Sequence, residues 1–205
     1  MITRVTRGST PFAAAVPTVL PTEVSPPMIV GIFADTHDHL DNIRRAVDLF
    51  NRQRCDVVLF AGDFTSTFAV PPLRHLNCPL IGCFGDNDAN KVGLRGGLRI
   101  IGTVHEPPHL AVLEDGTRVV LAHMWRQLRG FQQPFDVAVY AHTHKPSIER
   151  DERGRLLINP GETSGWTFRR PTVAILDTDT MEATIVPLPS MPVPDDVAHL
   201  TTRRP

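Results

Sequence analysis

The apolar positions between residues 28 and 102 form short runs separated by one long amphipathic stretch. The runs at 28–34, 56–61 and 79–84 predict buried strands. Between the first two runs, apolar side chains recur at helical spacing at Leu40, Ile43, Val47 and Phe50. This spacing predicts a helix over 39–54. A weaker helical pattern follows the second run, so the order strand-helix-strand-helix-strand predicts a parallel sheet.

After Gly102 the pattern changes to short extended runs. These runs lie at 109–115, 117–122, 136–141, 147–151, 155–159, 172–177 and 183–188. Asp115-Gly116 between the first two is a hairpin signal. The second half is therefore predicted to be mostly strands, which indicates two sheets packed face to face with helices outside.

The two ends of the chain lack this regularity. Prolines at positions 11, 17 and 21 interrupt residues 1–27, so we expect a flexible N-terminal extension rather than a signal peptide. Residues 189–205 form a proline-rich C-terminal tail. The regular pattern predicts one domain over 28–188.

Composition excludes several classes of protein. The chain has 205 residues, 41% of them hydrophobic, and a formal net charge of -1, which argues against sequence-independent nucleic-acid binding. No apolar stretch has the roughly 18–20 residues of a membrane span. The odd set Cys55, Cys78 and Cys83 argues against a disulfide scaffold and favours small buried side chains in a reducing, cytoplasmic compartment.

Five of the predicted strands are followed by residues of types that bind metal ions. The residues are Asp35, His37, Asp63, Asp86, His123, His142 and His144. The carboxyl ends of strands in an open α/β sheet converge on a crevice, so side chains distant in sequence can meet there. Within Asp35-Thr36-His37 and His142-Thr143-His144, positions i and i+2 face the same way.

A cluster of Asp35, Asp63 and Asp86 without cations would repel itself, and two divalent metal ions remove that conflict. Mixed carboxylate and imidazole ligands suit manganese, iron, nickel or zinc better than calcium. Gly62 and Gly85 fit a chain that turns sharply beside a ligand cluster.

The ordered motifs D-x-H, G-D, G-[ND]-x-D, a lone His and H-x-H resemble the calcineurin-like metallophosphoesterases, in particular their small stand-alone prokaryotic phosphodiesterase branch. "FADTHDHLDNI", "AHTHKP" and "INPGETSGW" are especially similar to that branch. The resemblance spans residues 28–188. It implies a four-layer α/β/β/α sandwich with a two-metal site.

Carried over by motif, the resemblance assigns Asp35, His37 and His144 to a first metal ion. It assigns Asp86, His123 and His142 to a second, with Asp63 bridging both. It implies hydrolysis of a small phosphodiester by in-line attack of a metal-bridging hydroxide, with Mn²⁺ favoured and Ni²⁺, Fe²⁺ or Zn²⁺ as alternatives.

The chain departs from the family pattern at two positions of the G-[ND]-x-D motif. Asp86 stands where the family most often has Asn, which changes the charge of the site. Asn87 stands where related phosphatases carry a histidine that protonates the leaving group, so we expect slow turnover of poor leaving groups. Asp88 is expected only to brace the loop through backbone amides, and His39 to open the first helix.

Other readings of the same residues remain. A non-catalytic protein-binding scaffold on the same fold, a phosphomonoesterase and a metal-dependent amide hydrolase are alternatives to the phosphodiesterase. The presence of His37 and of competent side chains at all seven positions favours the enzyme. Trp125 and Trp166 are interpreted as packed residues, with substrate contact as the alternative. Neither stable nucleic-acid binding nor a membrane partner is expected, and a homo-oligomer is left open.

Overall fold

The computed structural model describes residues 26–189, and the rest of the predicted extension and tail lies outside this range. The first half contains β1 (Ile29–Phe33), α1 (Leu40–Arg52), β2 (Val57–Phe60), α2 (Val70–Leu73), β3 (Leu80–Cys83), α3 (Lys91–Leu98) and β4 (Gly102–His105). The second half contains β5 (His109–Val112), β6 (Arg118–Leu121), β7 (Val137–Val139), β8 (Ser147–Arg150), β9 (Leu156–Asn159), β10 (Thr172–Asp177) and β11 (Glu182–Pro187). Short 3-10 turns occupy Thr67–Ala69 and Trp125–Leu128.

The strands form two mixed sheets. The first has the order β11-β10-β1-β2-β3-β4 and the second β5-β6-β7-β9-β8. Strands β1 to β4 are parallel, and β10 adds antiparallel to β1. In the second sheet β6, β7 and β9 are parallel, so the carboxyl ends of β1, β2, β3, β6 and β7 can open on one crevice.

The first sheet buries one face under the helices. Helix α1 turns Ile43, Val47 and Phe50 inward, as its apolar spacing predicts. His39 caps this helix, because its Nδ1 accepts a hydrogen bond from the backbone N–H of Asn42 at 3.3 Å. The predicted role of His39 in opening helix α1 is thus confirmed. Gly31 lets β1 approach the helix, since a Cβ there would lie 2.6 Å from the Phe50 ring.

The other face of the first sheet packs on the second sheet. Val30, Ile32 and Leu59 from the first sheet meet Val119 and Val139 from the second, all fully buried. Each such side chain removes apolar surface worth about 1.5–3 kcal/mol from water, so this layer fixes how the two sheets face each other.

The predicted α/β class, a four-layer sandwich of two mixed sheets with flanking helices, is confirmed. Within residues 26–189 the fourth layer is thin. The outer face of the second sheet is covered by the turn Trp125–Leu128 and by Phe131 and Phe135.

The sequence pattern did not predict two elements, helix α3 and strand β4. Helix α3 carries Gly93, Gly96 and Gly97, which have low helix propensity and hide its periodicity. Strand β4 follows it at once and has one fully embedded apolar residue, Val104. The predicted hairpin is confirmed: β5 and β6 are antiparallel, and Gly116 has a φ of 90° at the turn.

All three cysteines are free thiols. Cys55 and Cys83 are buried and Cys78 is half-buried, so the expectation of buried side chains is confirmed for the first two. Among the helices of residues 26–189, none is long and apolar enough to cross a membrane.

The domain boundary at Met28 stays a prediction, and it can be tested by truncation. The Met28 side chain is buried, its N–H donates to the Thr178 hydroxyl at 2.7 Å, and its carbonyl accepts from the Thr178 N–H at 3.0 Å. A chain that begins at Met28 should therefore keep the melting temperature of the full chain. A chain that begins at Val30 lacks these bonds and should melt several degrees lower. Equal loss of stability in both truncations would show that residues 1–27 pack on the domain.

Candidate metal centre

The seven side chains that follow the strand ends converge on one crevice. Asp35 and His37 follow β1, Asp63 follows β2, and Asp86 follows β3. From the second sheet, His123 follows β6, and His142 and His144 follow β7. The crevice therefore lies where the carboxyl edges of both sheets meet, and neither sheet could build it alone.

The backbone at these turns is held in an unusual conformation. Five of the seven residues have φ in the left-handed region: Asp35 (49°), His37 (41°), Asp63 (68°), His142 (70°) and His144 (61°). Such conformations each cost of the order of 1–3 kcal/mol outside glycine and cluster at functional sites. Turn-to-turn hydrogen bonds hold them, among them the N–H groups of Thr36 and His37, which both donate to the Asp63 carbonyl.

One group of side chains consists of Asp35, His37 and His144. The Nε2 atoms of the two histidines lie 3.4 Å apart, and Asp35 Oδ1 lies 3.8 Å from His144 Nε2. Their candidate ligand atoms all lie within 4.8 Å of one another, so a single metal ion could contact all three.

A second group consists of Asp86, His123 and His142. Asp86 Oδ1 lies 2.9 Å from His123 Nε2 and 3.3 Å from His142 Nδ1. Asp63 lies between the groups, because its Oδ2 is 3.6 Å from His37 Nε2 and 3.4 Å from His123 Nε2. Asp63 also forms a third group of possible ligand atoms with Asp35 and His123, so its carboxylate lies within reach of residues from both groups.

The donors of the crevice fit divalent cations. Asp35 is fully buried, and its Oδ1 has no hydrogen-bond partner within residues 26–189. An unpaired buried carboxylate oxygen is costly, and a cation beside it would compensate that cost. Three carboxylates and four imidazoles are also the donor set that transition-metal ions prefer.

The shifted pKa values of the buried groups have the same electrostatic origin. Burial raises the pKa of Asp35 to about 7, against the attraction of His123 and His144. Burial also acts to raise the pKa of Asp63, but the hydrogen bond and charge of His123 outweigh it and hold that pKa well below its usual range. Burial acts to lower the pKa of His123, yet Asp63 and Asp35 raise it to about 9. The charge of His123 thus stabilises the ionised Asp63 carboxylate, whereas burial disfavours the ionised form of Asp35.

Partners behind the histidines aim their ring nitrogens into the crevice. His123 Nδ1 donates to the Ala61 carbonyl at 2.8 Å, and His144 Nδ1 lies 2.9 Å from Glu162 Oε2. His37 Nδ1 lies 3.3 Å from the Thr65 hydroxyl. Each contact leaves Nε2 free to face the cluster, which is the arrangement of metal-binding histidines.

The glycines beside the crevice are required for space. A Cβ on Gly62 would lie 2.6 Å from His123 Nδ1, and Gly62 has a φ of 97°. A Cβ on Gly85 would collide with the Asp63 carboxylate and backbone. Both glycines therefore stand where the sequence pattern expected them to relieve crowding.

Asp88 and Asn87 support the crevice from below. The Asp88 carboxylate accepts from the N–H groups of Asp63, Thr65 and Gly85 at 2.8–3.2 Å, which confirms its predicted bracing role. Asn87 donates from its backbone N–H and from its side-chain amide to the two Asp63 oxygens, at 2.9 and 2.8 Å. Asn87 thus orients Asp63.

The match to known proteins decides the family. Residues 28–181 match the model of the calcineurin-like phosphoesterase superfamily domain. The chain belongs to the calcineurin-like phosphoesterase superfamily. The resemblance that the ordered motifs indicated is thereby confirmed.

Known relatives align with nearly all of the described residues of this phosphoesterase. The chain is 34% identical over 160 residues to phosphodiesterase MJ0936 of Methanocaldococcus jannaschii, and this alignment covers 76% of the chain and 96% of the relative. The structure of an archaeal phosphodiesterase superposes with a TM-score of 0.72 at 32% identity, over 78% of this chain and all of the other. The Escherichia coli phosphoesterase YfcE shares the fold, with a TM-score of 0.58 at 20% identity, over 79% of this chain and all of the other.

Sequence reasoning about this phosphoesterase missed Glu162. Its side chain is buried, contacts His144, and accepts from the N–H groups of Thr167 and Phe168 at 2.9 and 2.6 Å. Burial acts to raise its pKa, but the hydrogen bonds from Phe168 and His144 outweigh this and lower it. The available signal was a charged residue in the otherwise small and neutral run 159–165. The interpretation of both tryptophans as packed residues was wrong, since Trp166 is 63% exposed and Trp125 is 50% exposed.

We expect the Glu162→Gln substitution to weaken metal binding by about 10–100-fold, because an amide supports the imidazole of His144 less strongly than a carboxylate does. Metal affinity is measured by titration calorimetry of the metal-free protein. Glu152→Gln is the matched control, since Glu152 lies in an exposed turn. Equal affinities of both variants would show that Glu162 does not act through His144.

Proposed function

We propose that the chain is a metal-dependent phosphodiesterase. The convergence of three carboxylates and four imidazoles on one crevice, where Asp35 Oδ1 has no hydrogen-bond partner within residues 26–189, is the observation that carries this proposal. Membership of the phosphoesterase superfamily and the 34% identity to a protein named a phosphodiesterase support it.

In this proposal two divalent metal ions, preferably Mn²⁺, are the cofactors. Asp35, His37 and His144 would hold one, Asp86, His123 and His142 the other, and Asp63 would contact both. When bound, such ions supply an activated water nucleophile and neutralise charge on the phosphoryl oxygens. The compact grouping of each set of ligand atoms within 4.8 Å supports the assignment.

The protein's own residues would tune the reaction. Asn87 donates to Asp63 on both sides of its carboxylate, so its role is to orient that residue. An amide cannot donate a proton to a departing alkoxide, and no histidine stands at this position. We therefore propose that the enzyme prefers diesters with good leaving groups.

Asp86 supports a preference for diesters over monoesters. Its carboxylate is 45% exposed and contacts both His123 and His142, so it adds one negative charge at the mouth of the crevice. One extra negative charge repels a dianionic monoester or inorganic phosphate more strongly than a singly charged diester. The substrate we propose is accordingly a small phosphodiester.

The remaining expectations stay predictions. These are the cytoplasmic location, the absence of stable nucleic-acid binding, the oligomeric state, and the domain limits. The scaffold alternative stays open as well, although the exposed apolar side chains Phe68, Val92, Ile100 and Val112 are spread over different elements and do not by themselves mark a binding surface.

The purified protein loaded with Mn²⁺ should hydrolyse bis(p-nitrophenyl) phosphate, and chelation should abolish the release of nitrophenolate. Asp63→Asn should lower kcat/KM by about a hundredfold or more, since this residue contacts both groups of candidate ligands. Asp41→Asn is the control, because Asp41 forms only a surface ion pair with Arg44. A metal-loaded protein that hydrolyses no phosphoester would favour the scaffold.

Asp86→Asn should tighten inhibition by inorganic phosphate relative to the KM for the diester. The expected factor is about tenfold, from one unit charge acting on the extra charge of the dianion at short range. Inhibition constants are compared at equal metal content, determined by elemental analysis. An unchanged ratio in the fully metallated variant would mean that the charge of Asp86 does not act on the bound ligand.

A further inference from the structure

A cavity of about 460 Å³ opens beside the metal centre. Its lining consists of His144, Lys145, Pro146, Phe168, Arg170 and Thr172. His144 is shared between the cavity lining and the first group of candidate metal ligands, so the cavity adjoins the crevice. No part of the chemistry proposed above uses the other lining residues.

The segment 165–171, which forms one wall, is tied to the metal centre. Trp166 Nε1 donates to the His37 carbonyl at 3.3 Å, and the Thr167 hydroxyl lies 3.0 Å from His144 Nδ1. Glu162, which supports His144, also accepts from the N–H groups of Thr167 and Phe168. The wall is therefore positioned by the same contacts that position two candidate ligands.

This wall presents an aromatic ring to the cavity. Phe168 is 44% exposed, although the segment that carries it is well anchored. A held, exposed aromatic ring offers a flat surface for stacking, and every nucleobase has a complementary face. Stacking on such a ring needs no hydrogen-bond pattern, so it recognises nucleobases as a class.

The cavity also presents positive charge. Lys145 Nζ lies over one face of the Phe168 ring, 5.7 Å from its centre, and Arg170 lines the same space. Within residues 26–189 neither side chain forms an ion pair. Two cations beside an aromatic ring match a ligand that combines a base with a phosphate group.

We propose that this cavity binds the nucleotide part of a phosphodiester substrate. The base stacks on Phe168, and a further phosphate of the nucleotide binds Lys145 and Arg170, while the ester phosphate sits at the metal centre. The inference rests on the proposed function for the identity of the reaction but not for the binding itself. It narrows the substrate from small diesters in general to those that contain a nucleotide.

Calorimetry on the metal-loaded full chain tests the proposal with inorganic phosphate, adenosine 5′-monophosphate and adenosine 3′,5′-bisphosphate. The wild type should bind the monophosphate more tightly than phosphate, and the bisphosphate more tightly still. Phe168→Ala should reduce the advantage of the monophosphate over phosphate by about tenfold, which is the effect of losing one base–aromatic contact. Lys145→Gln should remove most of the further advantage of the bisphosphate.

Ile100→Ala is the matched control, since Ile100 is exposed beside Pro79, which precedes β3, and thus at the edge of the sheet opposite the crevice. Its affinities should equal those of the wild type. Equal binding of phosphate and the monophosphate by the wild type, or an unchanged ratio in Phe168→Ala, would overturn the proposal. Nucleotide binding that follows the expected pattern without hydrolysis of any diester would instead reject the proposed reaction and keep the binding site.

Discussion

The structure depends on bringing several buried negative charges together at the junction of two sheets. Asp35 and Asp63 are almost wholly excluded from water, and each lies within about a hydrogen bond's reach of other polar groups of the crevice. Buried carboxylates that lie this close destabilise each other's ionised form unless a cation or a proton neutralises the charge. The protein places His123 between these carboxylates, anchored by a carbonyl of the other sheet, so that the crevice also joins the two sheets.

The backbone conformation at the strand ends allows this cluster of side chains to form. Left-handed turns at the strand ends direct five of the seven side chains inward, and the carbonyl of Asp63 holds the turn after β1 in register with the turn after β2. Gly62 and Gly85 remove the bulk that would separate the turns. The free energy gained by burying the hydrophobic layer between the sheets offsets the conformational strain of these turns.

Much of this could be predicted from the sequence because the strong patterns are local. The buried runs at 28–34, 56–61 and 79–84 marked β1, β2 and β3 to within a residue at each end, and the polar residues after them marked the crevice. Helix α3 could not be recognised, since three glycines erase its apolar stripe and it forms by packing against its neighbours. The antiparallel addition of β10 beside β1 is equally invisible, because strand pairing between distant segments leaves no local pattern.

The supporting residues were harder to predict than the candidate ligands. Asp88 was foreseen because it completes the G-[ND]-x-D motif, whereas the similarity of "INPGETSGW" to the family does not indicate that Glu162 contacts a histidine. The bond of Trp166 to the His37 carbonyl joins segments 129 positions apart, so no local sequence pattern indicates it.

Glu162 has a thermodynamic consequence that extends beyond His144. Its Oε2 contacts the imidazole of His144 and accepts from the N–H of Thr167, and its Oε1 accepts from the N–H of Phe168. A metal ion bound to the imidazole would therefore also restrain the wall of the neighbouring cavity, and a molecule bound against that wall would restrain the imidazole. Since linkage between two binding sites is reciprocal, a ligand in the cavity would change the affinity for the metal ion by the same factor by which the metal ion changes the affinity for that ligand. Glu162 and the Thr167 hydroxyl, which both contact His144, would connect the two sites.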